Sequence, residues 1–182
     1  MMNIIPTPLP DLLLLEPQIH RDSRGSFSET YRQAWFEQHI APVQFVQDNL
    51  SHSQRGVLRG LHYQLPHPQG KLVSAVYGRL FDVAVDLRRH SPTFGQWYGT
   101  VLSAQNRRML WIPEGFAHGF YALTRQVICH YRCTDYYHPP SQHALLWNDP
   151  DIGIRWPFAH TTPQLSPQDA AALPLHRLPC FP

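Results

Sequence analysis

Two of the twelve histidines in this 182-residue chain sit where an imidazole could do chemistry. His62 lies in the run Val57-Leu58-Arg59-Gly60-Leu61-His62-Tyr63-Gln64, and His118 in Ile112-Pro113-Glu114-Gly115-Phe116-Ala117-His118-Gly119-Phe120. Imidazole changes charge near neutral pH, so it can serve as a base, an acid or a metal ligand. The first run places an arginine, a glycine and a histidine in an otherwise apolar strand, where an unpaired buried charge costs several kcal/mol. A binding cleft resolves that conflict. Arg59 and His62 are three apart and face opposite sides of a regular strand, unless Gly60 marks a bulge that resets the alternation. The plain alternative is a rim histidine beside a surface arginine. A transition metal normally takes three or more protein ligands, whereas His62-Tyr63-Gln64 holds one histidine and no acid follows before Asp82. His39, His52, His67, His90, His138, His143, His160 and His176 have the neighbours of solvent loops.

The elements that must hold these residues are short strands. Eighteen prolines, about twice the usual ~5% share, work against a helical bundle. Hydrophobic residues make up 43% and charged residues 15%, which excludes charge-driven disorder. Roughly ten strands with turn residues between them predict a sandwich or barrel rather than βαβ units. They fall at Leu12–Glu16, Phe27–Tyr31, Val43–Asn49, Val57–Gln64, Lys71–Tyr77, Arg79–Leu87, Gln96–Ser103, Met109–Ile112, Ala117–Leu123, Gln126–Tyr137 and Ala144–Trp147. Tyr77-Gly78-Arg79 and Leu123-Thr124-Arg125-Gln126 have the composition of tight hairpins. Helices are expected at Gln33–His39 and after Ser166-Pro167-Gln168-Asp169, where serine at N-cap, proline at N1 and aspartate at N3 approximate a capping box. The expected domain is single, with a core of about residues 11–172 and a Pro-rich surface tail over 173–182.

A net charge of +2 without a basic run leaves no footprint for a nucleic acid polymer. Cys129, Cys133 and Cys180 are an odd set without a C-x-x-C pair, so reduced thiols and a cytoplasmic location are expected. The longest early apolar run, Leu12 to Leu15, is far too short for a membrane span.

The P-x-G-x-x-H spacing of Pro113, Gly115 and His118 resembles the second motif of the cupin superfamily of double-stranded β-helices, or jelly rolls. Beyond it, the chain from about Asp11 to Ala172 closely resembles the dTDP-4-dehydrorhamnose 3,5-epimerase family of metal-free cupins. Seven blocks carry the likeness. They are Phe45-Val46-Gln47-Asp48-Asn49, Val57 to His62, Gln69-Gly70-Lys71-Leu72-Val73, Phe81 to Asp86, Ser91-Pro92-Thr93-Phe94-Gly95, Ile112 to Phe120, and Trp147-Asn148-Asp149.

The resemblance implies an all-β cupin that inverts C3 and C5 of a dTDP-4-keto-6-deoxyhexose. Both carbons lie α to the C4 ketone, so their protons leave as enolates. Inversion requires a base on one face of the sugar, an acid on the other and a donor near the C4 oxygen. No redox or metal cofactor is needed. By position His62 matches the family's base, Asp169 its orienting carboxylate, Tyr131 the acid and Lys71 the group near the keto oxygen. For substrate binding, position selects Gln47, Asn49, Arg59, His118 and Tyr137. Arg24, Phe27 and Glu29 belong to the segment that in this family reaches a neighbouring subunit, which implies a homodimer. Each catalytic assignment has a structural rival: Asp169 as a helix cap, Tyr131 as a core tyrosine, Lys71 as a strand-edge charge. The chain departs from the family pattern at His20, Ser26, Gln142 and Gln168. Competing functions are a C3-only epimerase, a metal-dependent cupin oxygenase and a non-catalytic sugar binder.

Overall fold

The structure, a computed structural model, describes residues 2–158 and 162–182, so His160 lies outside the described residues. In chain order the strands are β1 (Met2–Pro6), β2 (Leu13–Pro17), β3 (His20–Asp22), β4 (Gly25–Phe27), β5 (Gln47–Gln54), β6 (Leu58–Gln64) and β7 (Lys71–Tyr77). They continue as β8 (Arg79–Asp86), β9 (Trp97–Ser103), β10 (Met109–Ile112), β11 (Phe116–Ala122), β12 (Gln126–Cys133) and β13 (Gln142–Ala144). Helix α1 (Gln33–His39) precedes β5, and the one-turn α2 (Pro167–Ala170) follows β13.

Two antiparallel sheets face each other, one in the order β1-β2-β10-β7-β12-β5 and the other β13-β6-β11-β8-β9, with β3–β4 as a separate hairpin. This is the expected all-β, cupin-like jelly roll. The core between the sheets is built from Leu14, Val73, Ala75, Leu80, Ala84, Phe116 and Phe120. Burial is not confined to that interface. Val83, Ala84 and Val85 are successive and all fully buried, because Val83 and Val85 on the outer face meet Leu61, Tyr63, Leu178 and Phe181. A strand covered on both faces reads as a continuous apolar run rather than as an alternation. The other sheet carries a third cluster, in which Phe36 of α1 and Phe45 pack edge-on against Trp111.

Both expected hairpins are instead corners between sheets. Gly78 joins β7 to β8, and residues 123–125 join β11 to β12, yet in each case the two strands belong to different sheets. The corners brace one another through Arg79 N–H to Thr124 Oγ1 (3.0 Å), and a side chain at Gly78 would meet the Gln126 carbonyl. Turn composition is the same for a hairpin and for a corner; the choice is made by which faces must be buried.

Several boundaries move. Phe27–Tyr31 is not a strand, since β4 ends at Phe27. The predicted Val43–Asn49 strand begins only at Gln47 and continues to Gln54, because residues before it pack Phe45 under α1. The last strand lies at Gln142–Ala144 rather than Ala144–Trp147, and β1 was not anticipated. His52 and His143 stand in strands, not loops. The tail over 173–182 is not a surface extension: Leu178 and Phe181 are buried, and Phe181 bridges to Arg88.

Candidate active site

His62 reaches the interior because of Gly60. Strand β6 pairs with β11 as His62 opposite His118 but Arg59 opposite Phe120, so one extra residue is accommodated on β6. Gly60 has φ +104° and packs so closely that a Cβ would lie 2.6 Å from the His118 carbonyl oxygen. Only glycine suits that position. The bulge brings Arg59 and His62 to one side, where both line a compartment of about 180 Å³ with Ser51, Lys71, His118 and Tyr131. His62, Lys71 and Tyr131 also line an adjoining compartment of about 230 Å³ that opens past Gln47, Asn49, Gln69, Cys133, Tyr137 and Gln142. Strands β6 and β11 come from one sheet, and β5, β7 and β12 from the other. His62 and Tyr131 therefore enter the cavity from opposite walls.

Asp169 holds His62 from a distance of 107 residues in sequence, its Oδ1 lying 2.5 Å from the imidazole Nε2. Its carboxylate is not the helix cap. Ser166 caps α2 by accepting the Asp169 N–H at 3.1 Å, which leaves the Asp169 side chain free for His62. Burial tends to raise the Asp169 pKa, but hydrogen bonds from His62, Ser166 and the Gly60 backbone outweigh it and hold the group below the ordinary carboxylate value.

Tyr131 is the counterpart on the opposite wall. Its neighbours two residues away, Cys129 and Cys133, are both buried. Burial, reinforced by these thiols, raises the phenol's pKa against the opposing effect of Arg59, so the hydroxyl keeps its proton. Lys71 is almost wholly buried at the start of β7, not an exposed edge charge. Desolvation lowers its pKa, while nearby Cys133 and Asp82 work in the other direction. Asp82 is fully buried and its Oδ1 lies 2.8 Å from His118 Nε2; its Oδ2 has no hydrogen-bond partner among the described residues.

The open end is a polar ladder. Gln47 Nε2 donates to Asn49 Oδ1 (3.0 Å), Gln47 Oε1 accepts the Tyr137 N–H (2.8 Å), and the Tyr137 hydroxyl donates to Gln142 Oε1 (2.6 Å). Arg59 is aimed by Nε to Ser53 Oγ (3.0 Å) and Nη2 to the His52 carbonyl (3.2 Å).

The chain matches the dTDP-4-dehydrorhamnose 3,5-epimerase family over residues 6–177. It belongs to that family. A family member from Salmonella typhimurium is 55% identical over 94% of each chain. One from Neisseria gonorrhoeae is 59% identical over 93% of this chain, which spans about half of that relative (52%). The crystal structure of the Legionella pneumophila dTDP-6-deoxy-D-glucose-3,5-epimerase, in complex with dTDP-4-keto-L-rhamnose, superposes with a TM-score of 0.95 at 51% identity, covering 98% of this chain and 95% of that one.

As a 3,5-epimerase family member, the chain gathers most of the expected residues into one cavity: His62, Lys71, Tyr131, Gln47, Asn49, Arg59, His118 and Tyr137, with Asp169 behind His62. Arg24, Phe27 and Glu29 are not among them. Arg24 pairs with Asp22 and Glu29 with Arg32 (both 2.6 Å), while Phe27 is 70% exposed on the β4 strand. Sequence reasoning missed Asp82 as the partner of His118, and Ser51 and Gln69 as lining residues. The signal for Asp82 was available: Phe81-Asp82-Val83-Ala84-Val85-Asp86 places two acids in a buried run, and each requires a partner.

Proposed function

We propose that this epimerase converts dTDP-4-dehydro-6-deoxy-D-glucose to dTDP-4-dehydro-L-rhamnose with His62 as base, Tyr131 as acid, Lys71 at the keto oxygen and Asp169 orienting the base. The observation that carries the assignment is that a histidine backed by an aspartate and a protonated tyrosine enter one cavity from opposite sheets, with a buried lysine in the same lining. His62 takes the proton from C3 or C5, the electron pair moves into the C4 carbonyl, and Lys71 donates to the resulting enolate oxygen. Tyr131 then returns a proton to the opposite face of the same carbon. His62 loses its proton to solvent and Tyr131 regains one before the second carbon reacts. Side chains alone supply these steps.

Gln47, Asn49 and the Tyr137–Gln142 pair are assigned to the nucleotide end, and Arg59 to the diphosphate, for which a guanidinium fork is suited. His118, aimed by Asp82, is assigned to the sugar. The chain acts as one cupin-type domain, and Arg24, Phe27 and Glu29 serve the site of a second copy in a homodimer. Phe27, exposed on the two-stranded β3–β4 hairpin, supports that assignment, because burying a large aromatic side chain against a second copy is favourable. Among the described residues no helix is long and apolar enough to cross a membrane. A cytoplasmic role in rhamnose supply for a bacterial surface polysaccharide fits the free cysteines Cys129, Cys133 and Cys180.

Proton NMR of the 4-keto-6-deoxyglucose nucleotide in D₂O tests the assignment. Deuterium enters at both C3 and C5 with wild-type protein and at neither with His62→Ala. Exchange at C3 alone replaces the double inversion with a single one. Unaltered exchange in the His62 variant overturns the base.

A further inference from the structure

Asp169 stands on a helix of a single turn, Pro167–Ala170, and a helix that short has no stability of its own in water. Its position must be imposed from both flanks. Upstream, Gln164 is tied to β6 through Leu58 N–H to its carbonyl (3.0 Å) and its own N–H to Gly56 (2.8 Å). Downstream, Leu173 exchanges bonds with Ala144 and Leu146 (3.1 and 2.8 Å) beside β13, and Leu175 N–H reaches Asp149 Oδ2 at 2.7 Å.

Asp149 is a buried acid with no part in the mechanism. It is 1% exposed, and its other oxygen accepts the Asp151 N–H at 2.8 Å, so both oxygens are used by backbone. Beyond Leu175 the chain crosses the outer face of β6. The Tyr63 hydroxyl donates to the Pro179 carbonyl at 2.5 Å, and Phe181 lies 5.8 Å from the Tyr63 ring. Phe181 is then fastened to the neighbouring loop by its N–H to Leu87 and its carbonyl to Arg89. Tyr63 adjoins His62 in sequence. The same C-terminal tail therefore grips the strand that carries the base and anchors the helix that carries its carboxylate.

We propose that the C-terminal strap over residues 174–182, fastened by Asp149 and Phe181, is a positioning element for the His62–Asp169 pair. The inference rests on the assignment of Asp169 as the orienting carboxylate. A strap acting this way alters turnover without altering affinity, because none of its residues lines the substrate cavity. A misplacement on the order of 1 Å at a reacting group costs up to roughly a hundredfold in rate.

The test is a coupling measurement on the full chain. Phe181→Ala and the milder Asp149→Asn, which leaves only one oxygen for two N–H groups, are each made alone and with Asp169→Asn. Circular dichroism checks folding, and Asp149→Asn carries the test if Phe181→Ala does not fold. The expected result is a kcat lower by roughly ten- to a hundredfold with KM within about twofold of wild type, and recovery of most turnover in Phe181→Leu. In the Asp169→Asn background either strap change costs less than about twofold more, since the geometry it protects is already gone. A downfield imidazole N–H resonance, present in wild type, weakens in both strap variants. Full turnover in both folded strap variants, or equal losses with and without Asp169, overturns the strap while leaving the dyad in place. Full turnover in Asp169→Asn alone overturns the dyad, and the strap inference with it.

Discussion

Asp169→Asn separates the catalytic from the architectural role of one side chain. The helix keeps its cap, because Ser166 Oγ accepts the backbone N–H of residue 169 whatever its side chain. What is removed is a negative charge 2.5 Å from His62 Nε2. When His62 takes a proton from the sugar it becomes an imidazolium, and with charge centres ~4 Å apart at an effective dielectric constant near 20 the lost attraction is ~4 kcal/mol. Each 1.36 kcal/mol is tenfold in rate, so proton removal slows on the order of a thousandfold. The neutral amide also offers an N–H where an acceptor is required, which favours the wrong imidazole tautomer. The assay is deuterium wash-in at C3 and C5 by proton NMR, alongside thermal unfolding. Both exchange rates fall together, because one base serves both carbons, while the unfolding temperature moves by only a few degrees. A loss smaller than about tenfold in a folded variant refutes the coupling of carboxylate and base.

Tyr131→Phe leaves the base in place, so deuterium exchange persists after net inversion, followed by the product's NMR couplings, has fallen by roughly 10² or more; equal loss of both contradicts an acid on the far face. Burial lowers the Lys71 pKa and raises that of Tyr131, so the alkaline limb of the rate profile falls below the free lysine value of 10.5 and is set by loss of the ammonium. In Lys71→Met the rate drops by roughly 10² to 10³ and that limb disappears from a kcat titration. Asp86, fully buried and bonded to Arg88, Ser91 and Thr93, has a pKa held down by these partners against the opposing effect of burial. Its contribution is present above the unfolded value and is lost as pH falls through the lower folded one. Asp86→Asn therefore destabilises by about 3 to 5 kcal/mol at neutral pH, and denaturant titrations show the gap from wild type closing below about pH 4. Light scattering of the full chain is expected to give twice the chain mass; a monomer at working concentration removes Arg24, Phe27 and Glu29 from the site.

Much of the candidate site was legible because its signals are local or carried by family likeness. A histidine and an arginine in an apolar strand with a glycine between them announce a cleft and a bulge, and the Ser166-Pro167-Gln168-Asp169 start is complete within four residues. The capping bond was visible; that the Asp169 side chain was not part of it was not, because only the fold brings position 169 to position 62. Asp82 was passed over as an acid too far along the chain from His62 to complete a metal site. It lies directly opposite Phe120 on β11, and its carboxylate meets His118 two residues away.

What the sequence by itself determined is the class of element, the runs that bury both faces, the free thiols and the residue types that the chemistry needs. These follow from steric preference and hydrophobic pattern over a few neighbours. The tertiary structure decided which sheet each strand joins, turning the expected hairpins at Gly78 and residues 123–125 into corners between sheets. It also decided that Leu178 and Phe181 of the proline-rich tail are buried against Leu61 and Tyr63 of β6, because phenylalanine and leucine near a chain end carry no local signal of the surface that will cover them. Strand pairing and tail docking are settled by burial summed over the whole molecule, and that sum is defined only once both sheets are in place.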